Sequence, residues 1–139
     1  MSIQDNITAQ ERFGEAVNTG NLDVFDEVVA HGCIDHDPGP GQGSGPEGFR
    51  QFFSEFRTAF PDLSVEVEHL TATDDDVAIA YTVSGTHEGP LLGHEPTGKT
   101  MSVRGVQIGR FEQGKLVERW GSSDQVSMLS QLGLVDVEG

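Results

Sequence analysis

The chain has 139 residues, with 23 acids against 8 lysines and arginines, and a single cysteine. That length suits one domain, over residues 1–139, with its own core. The formal charge of -15 argues against nucleic acid and anionic membrane surfaces as partners, because both need a cationic face.

One cysteine allows no internal disulfide, no apolar run approaches the ~20 residues of a membrane span, and the N-terminus has no apolar signal core. A cytoplasmic protein is expected. The only lysines are Lys99 and Lys115, and the acids are spread along the chain. This composition resembles proteins of salt-loving organisms, whose self-repulsion is screened by salt. An ordinary acidic cytosolic protein fits it as well.

Thr8-Ala-Gln-Glu11 fits a capping box, and Ile7, Phe13 and Val17 mark a first helix ending near Gly20. Asn21 can cap a second helix with Leu22, Phe25, Val28 and Val29 as its apolar face. GCIDHD then reads as a strand or a strand-like exit. In the loop PGPGQGSG, Gly43, Gly45 and Gly48 formally satisfy G-x-G-x-x-G, but Glu47 in the following turn would repel a phosphate. A simpler reading has Ser44 cap a third helix, Glu47 close the box and Pro46 fill the first turn. That helix carries Phe49, Phe52, Phe53, Phe56 and Phe60 and ends at Pro61. Its phenylalanine face either fills a core or lines an apolar cavity.

Leu63, Val65 and Val67 alternate with polar residues as a strand. Asp74-Asp75-Asp76 is a tight connection, without the ligand spacing of a calcium loop. In the next strand Val77, Ile79, Tyr81 and Val83 share one face. The loop GPLLGHEPTG leads to a long strand over 100–112, where Gln107 and Arg104 lie on opposite faces. The face of Gln107, with Met101 and Val103, is read as the inner one. Gln113-Gly114 turns into a last strand from Lys115 towards Ser123, after which Val126, Leu129 and Leu132 take up helical spacing. Strict alternation puts Leu116, Glu118, Trp120 and Ser122 on one face, and Asp124 with them if the strand continues. Helices followed by grouped strands give an α+β class, with a curved antiparallel sheet wrapped around three N-terminal helices and a short C-terminal helix.

The side chains that could carry chemistry each have a plainer reading. Asp124 is placed either to cap the last helix or to act as a proton-transfer group. His36 is either a satisfied hydrogen-bonding residue or part of a site. His87 and His94 flank a Gly/Pro loop, as pocket rim or as exposed loop. His31, Cys33 and His36 match no standard zinc spacing, and no metal is expected. Cys33 lacks a base partner. Arg119 reads as a sheet-edge partner, and Glu118 as a solvent-facing charge, although it shares the face of Trp120.

Four segments, DHDP (35–38), GPEGFRQFFSEFRTAFPDL (45–63), VSGTHEGPLLGHEPTGK (83–99) and GKLVERWGSSDQVSMLSQLG (114–133), resemble the SnoaL-like polyketide cyclase or ester cyclase family. That family belongs to the nuclear-transport-factor-two-like superfamily. The resemblance covers about residues 10 to 134. It implies a cone-shaped α+β barrel and an intramolecular aldol closure that uses neither metal nor organic cofactor. It also implies an acid/base aspartate at Asp124, with His36 near the pocket.

Aldol closure needs a base for the acidic carbon and a donor for the developing enolate oxygen. Asp124 beside Trp120 is the expected base, with His36 and His94 as donors. Trp120, Tyr81, Phe53, Phe56, Gln107 and His87 are the expected pocket residues. The partner is a small apolar carbonyl compound, and a homodimer or higher homo-oligomer is expected. An isomerase, dehydratase or epoxide hydrolase on the same scaffold is an alternative, the last favoured by an inward Arg104. A non-catalytic binding or dimerisation module is another; it predicts a filled cone with Asp124 only capping the last helix, and the face containing Met101 to Phe111 as a dimer surface.

Overall fold

The computed structural model describes residues 2–136; residue 1 and residues 137–139 lie outside the described residues. Helix α1 spans Ile3–Thr19. It begins earlier than expected, because Ser2 and Asp5 form the capping box in place of Thr8 and Glu11. Gly20 ends it in a left-handed conformation. The second helix is one 3-10 turn, Leu22–Val24, running into the short α2, Phe25–Val28. Strand β1 follows at Val29–Asp35.

Helix α3 spans Gly45–Ala59. Ser44 precedes it but makes no side-chain capping bond, and Glu47 turns to Arg50 instead of closing a box. The glycines before it serve close packing. A Cβ on Gly48 would sit 2.1 Å from the carbonyl oxygen of Gly43.

Strands β2 (Ser64–Ala72), β3 (Asp76–Thr86), β4 (Thr100–Glu112) and β5 (Lys115–Ser123) follow, then α4 at Gln125–Gln131. The curved sheet has the order β1-β5-β4-β3-β2 and does not close on itself. Pairs β2–β3, β3–β4 and β4–β5 are antiparallel as expected, but β1 joins β5 in parallel, so the sheet is mixed. A chain that enters β1 directly from helix α2 reaches the free edge of β5 running in the same direction. Helix α1 packs on β2 and β3, and α3 packs on β1, bridging the two open edges.

Gln113 and Gly114 both take positive φ (53° and 76°), as a two-residue turn of a right-twisted hairpin requires. Beneath α1 and α3, Phe13, Phe25, Phe49 and Phe53 meet with ring centroids 4.8–6.1 Å apart. Burial of these rings removes the largest apolar surfaces from water and fixes α3 over the sheet. Among the described residues, no helix is long and apolar enough to cross a membrane.

Strand β4 alternates between buried and exposed from end to end. Met101, Val103, Gln107 and Phe111 are buried, so the face that a non-catalytic module would pair with a second copy is covered by the helices. Arg104 points the other way, with its side chain 83% exposed beside Glu68. Strand β5 does not alternate so simply. Phe111 pairs with Leu116 and Arg110 with Glu118, leaving Val117 as an extra residue. Such a bulge reverses which face every later side chain occupies.

Candidate functional site

Helices α1 and α3 stand off the inner face of the sheet and leave a cavity of about 1040 Å³. That volume suits a small organic ligand. Phe49, Phe52, Phe53 and Phe56 line it from α3, and Val65, Val67, Ile79 and Val83 from β2 and β3. The phenylalanine wall therefore does two jobs. Phe49 is buried in the core, while Phe53 and Phe56 are only partly buried and face the space.

The polar lining gathers where β4 and β5 lie side by side. The bulge at Val117 turns Arg119 inward, opposite Gly109, and Gly121 opposite Gln107. The Arg119 Nε donates to Gln107 Oε1 at 2.7 Å, and its Nη1 donates to Asp35 Oδ1 at 3.0 Å and to the Asp37 carbonyl at 3.3 Å. The Arg119 and Asp35 side chains are only 15% and 9% exposed, so this is a largely desolvated ion pair. Asp35 is saturated. Its Oδ1 also accepts from the Asp37 N–H, and its Oδ2 accepts from Gln42 Nε2. Gln107 donates in turn to Gln10 Oε1 on α1 at 3.4 Å. The Asp37 carboxylate accepts from the Gly121 N–H at 2.8 Å, clamping the end of β5.

Tyr81 lies across β4. A Cβ on Gly105 would sit 2.4 Å from the Tyr81 hydroxyl, so only glycine admits the ring there. Gly105 pairs with Ser123 on β5, which brings Tyr81 towards the end of that strand. Burial pushes the Tyr81 hydroxyl above its ordinary pKa, with the Arg119 charge and the Ser123 hydroxyl pulling the other way. It therefore stays a hydrogen-bond donor at neutral pH.

Asp124 follows β5 and caps α4, where its Oδ1 accepts the Ser127 N–H at 3.0 Å. It also lines the cavity, and its Oδ2 accepts no hydrogen bond among the described residues. The capping residue is thus also an exposed carboxylate on the cavity lining.

Tyr81, Phe53, Phe56, Gln107 and Asp124 are thus brought to one space, and four other expected residues are not. Trp120 faces out, where it stacks on His36 with centroids 4.9 Å apart. His36 Nε2 is hydrogen-bonded to Glu118 Oε2 at 2.6 Å on that same outer face. The bulge accounts for this correction, since it places Glu118 and Trp120 opposite the side that alternation predicts. His94 sits in the exposed turn closed by the Leu91–His94 bridge. His87 is fully buried away from the cavity, packed on Phe60, with its Nδ1 accepting the Thr97 N–H at 3.2 Å. There it pins the loop before β4, and its Nε2 has no partner among the described residues.

Sequence reasoning missed Arg119, Asp35, Gln42 and Gln10 as cavity or cavity-supporting residues. The signal for Asp35 was available: it lies two residues after the buried Cys33, on the same face of β1. Burial, with Asp35 nearby, pushes the Cys33 thiol from 9.0 to about 11, which leaves it protonated and unreactive at neutral pH. Among the described residues, no group of three or more His, Cys, Asp or Glu side chains gathers as a metal site.

The family model for the SnoaL-like polyketide cyclases matches residues 7–132. Aklanonic acid methyl ester cyclase DauD of Streptomyces sp. (strain C5) is 27% identical, over 94% of this chain and 83% of that protein. Among solved structures, TsrD from Streptomyces laurentii superposes with a TM-score of 0.88 at 26% identity, over 97% of this chain and 99% of that one. IdmH from Streptomyces antibioticus, a putative polyketide cyclase, gives 0.80 at 29% identity, over 92% and 98%. The matched span runs from within α1 through α4 and takes in all the side chains that line the cavity: the chain belongs to the SnoaL-like polyketide cyclase family.

Proposed function

We propose that the protein closes a ring in a small apolar carbonyl compound by cofactor-free acid/base chemistry of the aldol type, with Asp124 as the proton-transfer group. The observation that carries this reading is an aspartate at the margin of an apolar cavity, with one carboxylate oxygen held by the Ser127 N–H and the other uncommitted. The likeness to aklanonic acid methyl ester cyclases supports a polyketide-derived ketone or ester as substrate.

The Asp124 carboxylate takes a proton from a carbon flanked by carbonyls. The C–H electron pair passes into an enolate, and the enolate carbon attacks a second carbonyl of the same molecule. The new alkoxide recovers the proton from Asp124 as a hydroxyl group. Atoms and charge balance, and no co-reactant is needed. His36 and His94 lie outside the cavity lining, so the donor role passes to the Tyr81 hydroxyl and the Gln107 amide.

A non-catalytic module would have a filled cone, and the open cavity favours the enzyme. An epoxide hydrolase would need a second carboxylate besides Asp124, and an arginine, converging on a water. Arg119 is inward, but Asp35 has both oxygens engaged. We also place a homodimer contact on the outer face of the sheet, where Ile34, Val106, Ile108 and Trp120 are exposed together.

Asp124→Asn tests the chemistry, because asparagine caps a helix as well as aspartate does. With aklanonic acid methyl ester and simpler β-dicarbonyl esters as probes, turnover should fall ~10²–10⁴-fold while the circular dichroism spectrum is unchanged. Turnover equal to the wild type would refute the assignment.

A further inference from the structure

We infer that Arg119 binds the negative oxygen of an enolate in the cavity, and that Asp35 is the residue that positions it for this. The inference deepens the cyclase reading and rests on it for the reaction, but the binding it predicts can be measured without turnover.

A guanidinium offers five N–H donors. Those on Nε and Nη1 are engaged by Gln107, Asp35 and the Asp37 carbonyl. Nη2 has no acceptor among the described residues, although Arg119 lines the cavity. It lies over the bare backbone of Gly121, where a Cβ would come within 2.7 Å of Nη2 and 3.0 Å of Cζ. One edge of the fork is therefore fixed and the other is open to a ligand. Donors held in place before charge develops stabilise it without reorganising, and do so more strongly in a water-poor site.

The charge balance fits an enolate. Asp35 already neutralises Arg119, so the pair brings no net charge to the cavity. When Asp124 takes a proton the substrate gains the charge that Asp124 loses, and the site's total is unchanged. Asp35 cannot serve as a second base because both its oxygens are engaged. Its part is to hold the open edge of Arg119 towards the cavity.

The probe is benzoylacetone, a 1,3-diketone whose enol and enolate absorb at different wavelengths. It is titrated spectroscopically across pH with the full chain. The wild type should shift ionisation of the bound diketone to lower pH than in buffer, and Asp124→Asn should preserve or enlarge that shift. Arg119→Met and Gly121→Ala should each reduce the bound enolate-to-enol ratio by about tenfold or more. Gly121→Ala keeps the charge and fills the space beside Nη2. Asp35→Asn should give an intermediate loss. If Arg119→Met unfolds because Asp35 is left unpaired, the neutral double variant Asp35→Asn/Arg119→Met takes its place. The inference is overturned if Arg119→Met, or that double variant, and Gly121→Ala ionise the bound diketone as the wild type does, or if the wild type binds no enolate. Loss of turnover in Asp124→Asn with normal enolate binding in the Arg119 variants would leave the cyclase reading standing and remove this one.

Discussion

Strands β4 and β5 are neighbours in one hairpin, yet they follow different rules. In β4 every second residue is buried from Met101 to Phe111. In β5 the alternation holds only as far as Leu116, and Val117 then shifts the phase. After it Arg119, Gly121 and Ser123 look inward, while Glu118 and Trp120 look out. A period-two pattern can be read safely along a regular strand, whereas one extra residue moves a whole functional set to the other face.

Removing the extra residue should break the comparison most severely. Deletion of Val117 would drive Trp120 and Glu118 into the cavity and turn Arg119 out, stranding Asp35. A loss of at least ~5 kcal/mol is expected, which is on the scale of a whole domain's stability, and urea unfolding should lose its cooperative transition. A wild-type transition in the deletion variant would mean that the phase of β5 does not matter.

Two substitutions sharpen the contrast between the faces. Asp35→Ala leaves the buried guanidinium uncompensated and should cost about 3–5 kcal/mol. Trp120→Ala, on the outer face against His36, should cost only about 1 kcal/mol and leave ligand binding in the cavity unchanged. Equal shifts in urea midpoint for the two would contradict the inward and outward assignment.

The outer face offers a milder test. Ile108→Glu places a charge among exposed apolar side chains, so sedimentation should show the proposed dimer dissociate into folded monomers. A variant that sediments like the wild type would move the contact elsewhere.

The smallest effect is the alkaline behaviour of Cys33. Between pH 9.0 and about 11 the thiol of the unfolded chain loses its proton while the buried one keeps it. The unfolded state then binds fewer protons, so stability falls as pH rises through that window and is fully present below it. Cys33→Ala should flatten that part of the profile of urea midpoint against pH.

Much of the site was legible in the residues. The phenylalanine spacing of α3, the inner face of β3 with Tyr81, and the inner face of β4 with Gln107 all depend on regular periods. Asp124 was visible because a strand ends and a helix begins there. Arg119 was not, since no glycine or proline marks the bulge before it. Trp120 was misplaced for the same reason, because its stack on His36, which is itself hydrogen-bonded to Glu118, forms on the face that the bulge turns outward. For His87 the sequence offers only a pocket rim or an exposed loop, because no local pattern shows that a loop histidine will be buried against Phe60.

The sequence by itself determined the element order, the α+β class and the apolar stripes of α3, β3 and β4, because these follow from side-chain periods within single segments. Tertiary structure alone decided the parallel docking of β1 on β5, the inward turn of Arg119 and its partnership with Asp35. Those depend on one strand's phase against another, a relation between segments far apart in the chain that no local pattern encodes.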